Sequence, residues 1–209
     1  MRRNGYTSSK TNAGAQVTRC RTLFIVSAPS GAGKRTILGK VFEKDPALTY
    51  SVSATTRPAR KGEVEGRDYY FLSEEAFRER VDADDFAEWA EVHGNLYGTL
   101  RDELSRRLGT GKVVILELDV QGMRNVKAAW RNAASIFIMA PSMEELERRL
   151  RKRGTNDPAD IALRMANALK EIEVRHTFDY IIVNDNLDEA VADMQAIIRA
   201  ERCRSSKQP

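Results

Sequence analysis

A glycine-rich turn between a short apolar run and a helical pattern constrains this chain more than any other feature. The apolar run, 23–27, has the β-branched and aromatic residues of a buried strand. The turn, 28–33, leads to Lys34 and a helical pattern from Thr36 to Lys44. A strand, a glycine-rich loop, a lysine and a helix in this order are typical of a phosphate-binding loop. The backbone N–H groups of such a loop and the positive end of its helix hold the anion.

The loop departs from the usual pattern at two positions. Ala28 stands in place of the first glycine, and Arg35 stands in place of the serine or threonine after the lysine. That hydroxyl normally contacts Mg²⁺, whereas a guanidinium cannot coordinate a cation. We therefore expect Mg²⁺ to be held by phosphate oxygens, water and a carboxylate, with help from Thr36. The alternative interpretation is an ordinary glycine-rich turn between a strand and a helix.

The strand-and-helix theme recurs along the chain. Apolar runs at 113–116, 135–139 and 180–183 predict buried strands, each followed by a helical pattern. Strands that alternate with helices predict an α/β fold with a mostly parallel sheet and helices on both faces. Residues 50–97 break the alternation and predict a small mixed or antiparallel insertion. Residues 151–160 are polar and charged, and they predict a loop of the kind that forms a mobile lid.

The net charge of +4 and the pI of about 9.1 invite a nucleic-acid-binding interpretation until the charge is located. Residues 1–22 hold five basic residues and no acid, and residues 201–209 hold three basic residues and one acid. The body, 23–200, is therefore mildly acidic, which argues against a nucleic-acid-binding surface. The first 22 residues are polar without apolar periodicity, so we expect a disordered extension rather than an organelle-targeting helix.

Cysteine usage and hydropathy exclude two further classes of protein. Cys20 and Cys203 are the only cysteines, which is too few for a disulfide framework, and no CxxC or Cys/His cluster suggests a metal site. The absence of an 18-residue apolar run argues against a membrane span. We expect one domain in a cytoplasmic protein.

A short polar segment and two tyrosines suggest a second phosphate site. Ser53, Arg57 and Arg60 are hydrogen-bond donors, and an arginine fork binds phosphate through two bonds. Tyr69 and Tyr97 can add phenol donors or stack on a base. Taken singly, a residue of this kind is more often a solvated surface charge or a core tyrosine than a ligand-binding group.

Glu88 is a polar residue within an apolar stretch, 86–90. A carboxylate can accept hydrogen bonds from both N1–H and N2–H₂ of guanine, whereas adenine presents an acceptor at N1. A buried polar site of this kind discriminates strongly, because the wrong base leaves polar groups unpaired. The segment thus suggests a guanine-reading site.

Several segments, in order, resemble those of the guanylate kinases. They are the GMP-binding segment at 53–69, the next segment at 94–99, the segment after the central strand at 117–122, the lid arginines within 148–154 and 164–165, and the last strand and turn at 182–185. The resemblance covers about residues 22–202, which is nearly all of the part expected to fold.

The resemblance implies an enzyme that transfers the γ-phosphoryl group of ATP to GMP, and also to dGMP, with Mg²⁺ as cofactor. It implies a P-loop nucleoside-monophosphate-kinase fold within 23–203, with a parallel sheet core and helices on both faces. The implied core is 23–50, 98–150 and 172–203, the small mixed α+β GMP-binding region is 51–97, and the helical lid is about 151–171. Residues 204–209 are expected to form a disordered tail.

Carried onto this chain residue by residue, the resemblance implies three groups of site residues. The GMP site comprises Ser53, Arg57, Arg60, Tyr69 and Tyr97 around the phosphate, Glu88, Thr99 and Glu117 around guanine, and Asp119. The ATP site comprises Ala28, Pro29, Ser30, Gly31, Ala32, Gly33, Lys34, Arg35, Thr36, Arg149, Arg153 and Asn184, the last on the adenine or lid side. The groups implied in the transfer itself are Lys34, Arg57, Arg149 and Arg164, with Asp119 and Thr36 near Mg²⁺.

Two alternatives to an enzyme remain open at this point. Non-catalytic relatives share the fold and bind partner proteins in the GMP cleft, and Arg35 is the feature that favours this interpretation. Lys34, the loop glycines and the lid arginines argue against it. A nucleic-acid binder is suggested only by the pI. The sequence leaves open whether the protein is a monomer or a homodimer, and we expect neither nucleic-acid nor membrane partners.

Overall fold

The structure, a computed structural model, describes residues 23–92, 94–152 and 157–204. The predicted disordered extension at 1–22 lies outside these ranges, as do Arg153 of the implied lid and residues 205–209 of the predicted tail. No helix within the described ranges is long and apolar enough to span a membrane.

Strands and helices alternate along most of the described chain. The strands are β1 (Leu23–Ser27), β2 (Leu48–Tyr50), β3 (Ala54–Thr55), β4 (Tyr70–Phe71), β5 (Phe86–Val92), β6 (Asn95–Leu100), β7 (Val113–Glu117), β8 (Ala134–Met139) and β9 (Tyr180–Val183). The helices are α1 (Lys34–Lys44), α2 (Glu74–Asp82), α3 (Arg101–Gly109), α4 (Val120–Ala129), α5 (Met143–Lys152), α6 (Pro158–Glu173) and α7 (Leu187–Arg202), with a 3₁₀ turn at Arg175–Thr177.

The main sheet has the order β2-β7-β1-β8-β9, and every pair in it is parallel. Successive side chains of a strand point to opposite faces of the sheet, so both faces of these apolar strands need a cover. Phe24 and Val26 pack with Ile37 of α1 on one face. Ile25 packs with Met123 of α4 on the other face. The predicted α/β fold, with a parallel sheet covered on both faces, is confirmed.

A second sheet, with the order β4-β3-β6-β5, forms the insertion that the sequence predicted as mixed or antiparallel. Its β3–β4 pair is parallel, and its other pairs are antiparallel. Phe77 of α2 is buried against Phe86 of this sheet, with ring centroids 4.3 Å apart. A Cβ at Gly98 would lie 2.6 Å from the Phe86 ring, so glycine is required there for close packing. Strand β6 continues to Leu100, beyond the predicted boundary at 97.

Glu103 of α3 holds the two sheets together where the chain crosses between them. Its buried carboxylate accepts hydrogen bonds from Val52 N, at 3.4 Å, and from the Tyr70 hydroxyl, at 3.2 Å. It also pairs with Arg106 and, at 2.7 Å, with Arg107. Because these partners come from the connection after β2, from β4 and from α3, one side chain fixes the small sheet against the core.

The predicted loop at 151–160 was partly wrong. Helix α5 continues to Lys152, and α6 begins at Pro158. Asp157 Oδ1 accepts a hydrogen bond from Asp160 N at 2.9 Å, which caps α6. An aspartate cap followed by proline at the first helical position is a strong helix-start signal, and it outweighs the polar composition of the segment.

Candidate active site

The turn after β1 forms a backbone cradle at the start of α1. Gly31 and Gly33 have φ of +95° and +96°, a region that residues with a Cβ rarely adopt. Within the turn, Ala32 N donates to Pro29 O at 3.1 Å. Helix α1 begins at Lys34, two residues before the predicted start, so Lys34 lies in its first turn. The helix N-terminus and the loop amides together suit a bound phosphate.

A buried asparagine from the far end of the chain supports this cradle. Asn184, which is 6% exposed, donates from Nδ2 to Ala32 O at 2.8 Å. A Cβ at Gly33 would clash with the same Nδ2. Arg149 Nη2 in turn donates to Asn184 O at 3.0 Å. The resemblance implied a position on the adenine or lid side for Asn184, and the structure shows that its side chain braces the loop.

Two of the three arginines implied in the lid lie near the loop, and Arg153 lies outside the described residues. Arg149 Nε donates to Glu145 Oε1 at 2.6 Å. Arg164 Nη1 donates to Ser30 Oγ at 3.0 Å, and both residues line a cavity of about 290 Å³ beside α6. Arg164 of α6 thus contacts the loop directly, whereas Arg149 of α5 contacts Asn184, the residue that braces the loop.

Glu171 lines the same cavity, and the sequence reasoning missed it. Burial raises its pKa to about 7, the charge of Asp119 pushes the pKa in the same direction, and Lys34 opposes the shift. Arg164 and Glu171 are seven residues apart on α6 and therefore share one helix face, a spacing that the sequence shows. Glu171 thus adds an acidic side chain near the phosphate loop.

Lys34 and Glu117 join the loop to the next strand of the sheet. Lys34 Nζ lies 3.2 Å from Glu117 Oε2. Glu117 is the last residue of β7 and is in register with Val26 of β1. Because the carboxyl ends of neighbouring parallel strands meet at one edge of a sheet, the loop after β1 and the carboxylate at the end of β7 lie close together.

Most residues implied in the GMP site share one cavity of about 170 Å³. Two of its sides are the small sheet and the end of β7. The implied residues that line it are Ser53, Tyr69, Glu88, Tyr97, Glu117 and Asp119. The rings of Tyr69 and Tyr97 meet nearly edge to face, with centroids 6.1 Å apart. The structure therefore brings together residues that are spread over 67 positions of the sequence.

Glu88 is the buried carboxylate of this cavity, at 8% exposed. It lies opposite Thr99 in the β5–β6 pair, and Thr99 Oγ1 donates to its Oε1 at 2.7 Å. Burial raises the pKa of Glu88 to about 7, and the nearby charge of Asp119 adds to the shift, whereas the Thr99 hydrogen bond opposes it. A ligand that donates to this carboxylate favours its ionised form and offsets the cost of burial.

Arg57 is held in place by the chain itself. Its Nη2 donates to both carboxylate oxygens of Glu63 at 2.9 Å, and its Nη1 donates to Pro58 O at 2.6 Å. Its guanidinium carbon lies 5.4 Å from the centroid of the Tyr69 ring, within cation–π range. Arg60 is exposed, and its backbone N–H donates to Glu63 at 2.7 Å. That bond, together with Arg57, holds the pKa of Glu63 below its ordinary value.

A larger cavity, of about 720 Å³, joins the phosphate loop to the acceptor residues. Lys34, Arg35 and Glu117 line it on the loop side. Ser53 and Tyr69 line it on the side of the small sheet. The loop and the implied phosphate end of the acceptor site thus face one space, which is the arrangement that transfer between two bound nucleotides requires.

The oxygen ligands that the protein offers near the loop suit a Mg²⁺ ion that is held mainly by nucleotide phosphates. Within the described residues, no group of three or more His, Cys, Asp or Glu is arranged to hold a metal ion. Thr36 is exposed. Asp119 Oδ1 accepts a hydrogen bond from Gly122 N at 2.7 Å, so its second carboxylate oxygen is the one that can coordinate a metal ion. In nucleotide sites Mg²⁺ keeps several waters and binds one or two carboxylates together with substrate phosphates. These residues fit that pattern.

Comparisons with known proteins agree with one another. The family model described as guanylate kinase matches residues 20–201. The guanylate kinase of Thermotoga maritima is 44% identical over 185 residues, which cover 88% of this chain and 89% of that protein. The guanylate kinase of Polaromonas sp. (strain JS666) is 47% identical over 186 residues, which cover 89% and 90%. The crystal structure of guanylate kinase from Anaplasma phagocytophilum matches with a TM-score of 0.74 and 36% identity, over 92% of each chain.

Proposed function

The chain belongs to the guanylate kinase family, and we propose that it transfers the γ-phosphoryl group of ATP to GMP or dGMP. The observation that carries this proposal is a buried carboxylate, Glu88, in a cavity that adjoins the space lined by Lys34 of the phosphate loop. Lys34, the loop glycines and the nearby arginines argue against a non-catalytic, protein-binding role.

On the donor side, we propose that the loop from 28 to 36 binds the ATP phosphates. The left-handed glycines and the first turn of α1 support this role, because they turn backbone N–H groups toward an anion. Arg149 and Arg164 lie close enough to the loop to offset the charge of the triphosphate. Asn184 then acts by holding the loop in shape.

On the acceptor side, we propose that Glu88 accepts N1–H and N2–H₂ of guanine. Thr99 orients Glu88 through the hydrogen bond to Oε1, and Glu117 borders the same cavity. Adenine would place its N1 lone pair against the carboxylate and leave both groups unpaired, which costs binding free energy.

At the other end of the acceptor, we propose that one group of residues binds the phosphate of GMP. Its members are Ser53, Arg57, Arg60, Tyr69 and Tyr97. Arg57 is stacked near Tyr69 and fixed by Glu63, so its fork is preorganised and little side-chain entropy is lost on binding.

Phosphoryl transfer requires positioning and charge neutralisation, and it requires little covalent chemistry by the protein. We propose that Lys34, Arg57, Arg149 and Arg164 supply positive charge around the two phosphate groups. Mg²⁺, when bound near Asp119 and Thr36, adds charge neutralisation at the triphosphate. The described His176 is exposed, and we assign it no role.

The domain roles, location and assembly of the protein are also proposals. The small sheet with α2 serves as the GMP-binding region, and the end of α5 together with α6 serves as the lid. We propose a cytoplasmic enzyme, active as a monomer or homodimer, in keeping with small-molecule substrates.

An ADP-release assay tests the proposal directly. The purified protein is supplied with ATP, Mg²⁺ and one acceptor at a time: GMP, dGMP, AMP or UMP. We expect turnover with GMP and dGMP and little with AMP or UMP. A Lys34→Ala preparation, purified in parallel, controls for contaminating kinases. Absence of turnover with GMP in the wild-type protein would contradict the proposed function.

A further inference from the structure

Arg35 stands where the phosphate-loop pattern has a hydroxyl, and it lies between the two halves of the site. It is the second residue of α1, and its side chain is exposed. It lines the cavity of about 720 Å³ together with Lys34 on one side and Ser53 and Tyr69 on the other. Its guanidinium therefore borders the space in which the two nucleotides' phosphates would meet.

Among the described residues, Arg35 differs from the paired cations around the loop in having no hydrogen-bond or ion-pair partner. Lys34 pairs with Glu117, Arg57 with Glu63, and Arg149 with Glu145. Within 23–92, 94–152 and 157–204, the Arg35 side chain has no hydrogen-bond partner and no carboxylate within 4.0 Å. All five of its N–H donors are therefore available to a ligand.

The position of Arg35 also breaks a rule of helix electrostatics. The first turn of α1 contains Lys34 and Arg35 and no acidic residue. Cations are unfavourable near a helix N-terminus, where the macrodipole is positive, and an anion bound there removes the penalty. Arg35 lowers the stability of the helix at this position and gains no ion pair among the described residues, so its presence there points to a functional role.

The neighbours of Arg35 indicate which phosphate it faces. Burial raises the pKa of Tyr69, an implied ligand of the GMP phosphate, and the charge of Arg35 opposes that shift. The same opposition holds at Tyr50, which lines the same cavity. The arginines implied for the donor side, Arg149 and Arg164, instead contact residues of the loop and of β9's end. Arg35 thus lines the same cavity as Ser53 and Tyr69 of the acceptor side.

We propose that Arg35 binds the phosphate of the acceptor nucleotide and holds it against the phosphate loop. This inference rests on the proposed function, because it deepens the assignment of the same site. It gives Arg35 a role in acceptor binding, where the usual hydroxyl would serve the metal on the donor nucleotide. A planar fork can contact two oxygens of one phosphate, and a lysine at this position lacks that geometry.

Binding measurements by calorimetry test the inference, with GMP, guanosine and ATP as separate ligands and without turnover. The variants are Arg35→Ser, which restores the hydroxyl, and Arg35→Lys, which keeps the charge without the fork. We expect Arg35→Ser to weaken GMP binding about tenfold, the loss typical of one charge-assisted contact, and to leave guanosine binding unchanged. ATP binding should change less than threefold, and Arg35→Lys should lie between wild type and Arg35→Ser.

Lys44→Ser is the matched control, because it removes one positive charge from the far end of the same helix. Thermal melting of each variant reports whether the fold is kept. Equal GMP affinity in wild type and Arg35→Ser would overturn the inference, as would equal losses for GMP and ATP or for GMP and guanosine. Failure of the wild-type protein itself to bind GMP would contradict the proposed function, so the two failures are distinguishable.

Discussion

The donor and acceptor sides of the site are built in different ways. On the donor side, the loop after β1 is shaped by backbone dihedrals and braced by Asn184, which is buried in the core. On the acceptor side, Glu88 is a buried carboxylate and Arg57 is fixed by an ion pair with Glu63. Backbone N–H groups accommodate any polyphosphate, whereas a buried carboxylate accepts only bases with matching donors. Selectivity for the substrate is therefore expected to come from the acceptor side.

Lys34 belongs to the phosphate loop and pairs with Glu117, which lines the acceptor cavity. Its loss should therefore impair both the donor side and the acceptor side of the site. We expect Lys34→Ala to lower kcat about 10³-fold, because a positioned cation at the transferring group is removed and Glu117 loses its partner. Steady-state kinetics with ATP and GMP measure the effect. Lys40→Ala, in the same helix and paired only loosely with Asp188 at 3.9 Å, should keep near wild-type activity. A Lys34→Ala enzyme with kcat within tenfold of wild type would show that the lysine is not central to transfer.

The sharpest contrast should come from Glu88→Gln. Gln keeps one acceptor oxygen but presents an amide donor to guanine, so we expect the KM for GMP to rise about 10²-fold. The KM for ATP should change less than threefold. Glu91→Gln, at an exposed position of the same strand that does not line the cavity, is the control. Equal losses for both nucleotides would contradict the guanine-reading role.

Asn184→Ala should give the reverse contrast. Losing the bond to Ala32 O leaves a buried carbonyl unpaired and loosens the loop, so we expect the KM for ATP to rise about tenfold. The KM for GMP should stay within threefold. Asn186→Ala is a close control, because this residue caps α7 and is expected to cost comparable stability. If both variants affect ATP equally, general destabilisation explains the result, and the bracing role fails.

The smallest expected effect is that of pH on acceptor binding. With a pKa of about 7, Glu88 is mostly protonated at pH 6.5 and mostly ionised at pH 8, so GMP should bind about fourfold more tightly at pH 8 than at pH 6.5. The phosphate of GMP also loses a proton near pH 6, so guanosine is the cleaner ligand. Glu88→Gln should flatten the guanosine profile, whereas Glu171→Gln, which removes the other group with a pKa of about 7, should keep it.

The same pKa predicts a change in stability. A carboxyl whose pKa is higher in the folded protein than its ordinary value of 4.5 favours the fold at low pH, and this contribution is lost as pH rises through 7. We therefore expect Glu88→Gln to raise the melting temperature at pH 8, measured without nucleotide, and to have little effect at pH 4.5. A variant less stable than wild type at pH 8 would argue against the cost of burying this charge.

The core was predicted well from the sequence because buried parallel strands appear as apolar runs. The predicted run at 113–116 lies within β7 and is buried, and the run at 180–183 coincides with β9, an edge strand in which only Ile182 is buried. The helical pattern expected after that run corresponds to α7. The guanylate kinase resemblance is confirmed by the comparisons. The small sheet was predicted only as a mixed insertion, because its strands β3 and β4 have two residues each and carry no readable period.

The contacts that shape the site were not predictable in the same way. Asn184 and Ala32 are 152 residues apart, and their hydrogen bond depends on how β9 and the phosphate loop meet in three dimensions. The role of Glu63 as the partner of Arg57 is equally hidden, because it arises from the fold of a polar segment without periodicity. The sequence identified which side chains carry chemistry, and the tertiary fold decided which of them pair with one another.

That pairing has a consequence for how the protein responds to ionic strength. Because Lys34, Arg57 and Arg149 already lie against carboxylates of the chain, a phosphate that approaches them meets cations whose charge is partly neutralised. Attraction between exposed charges is screened as salt rises, and cations that are already paired contribute less of this attraction than unpaired ones. A long polyanion gains much of its affinity from the counterions that it releases on binding, so its binding weakens steeply as salt rises. We therefore expect the cleft to favour small nucleotides, which also contact the loop N–H groups and Glu88, over long polyanions.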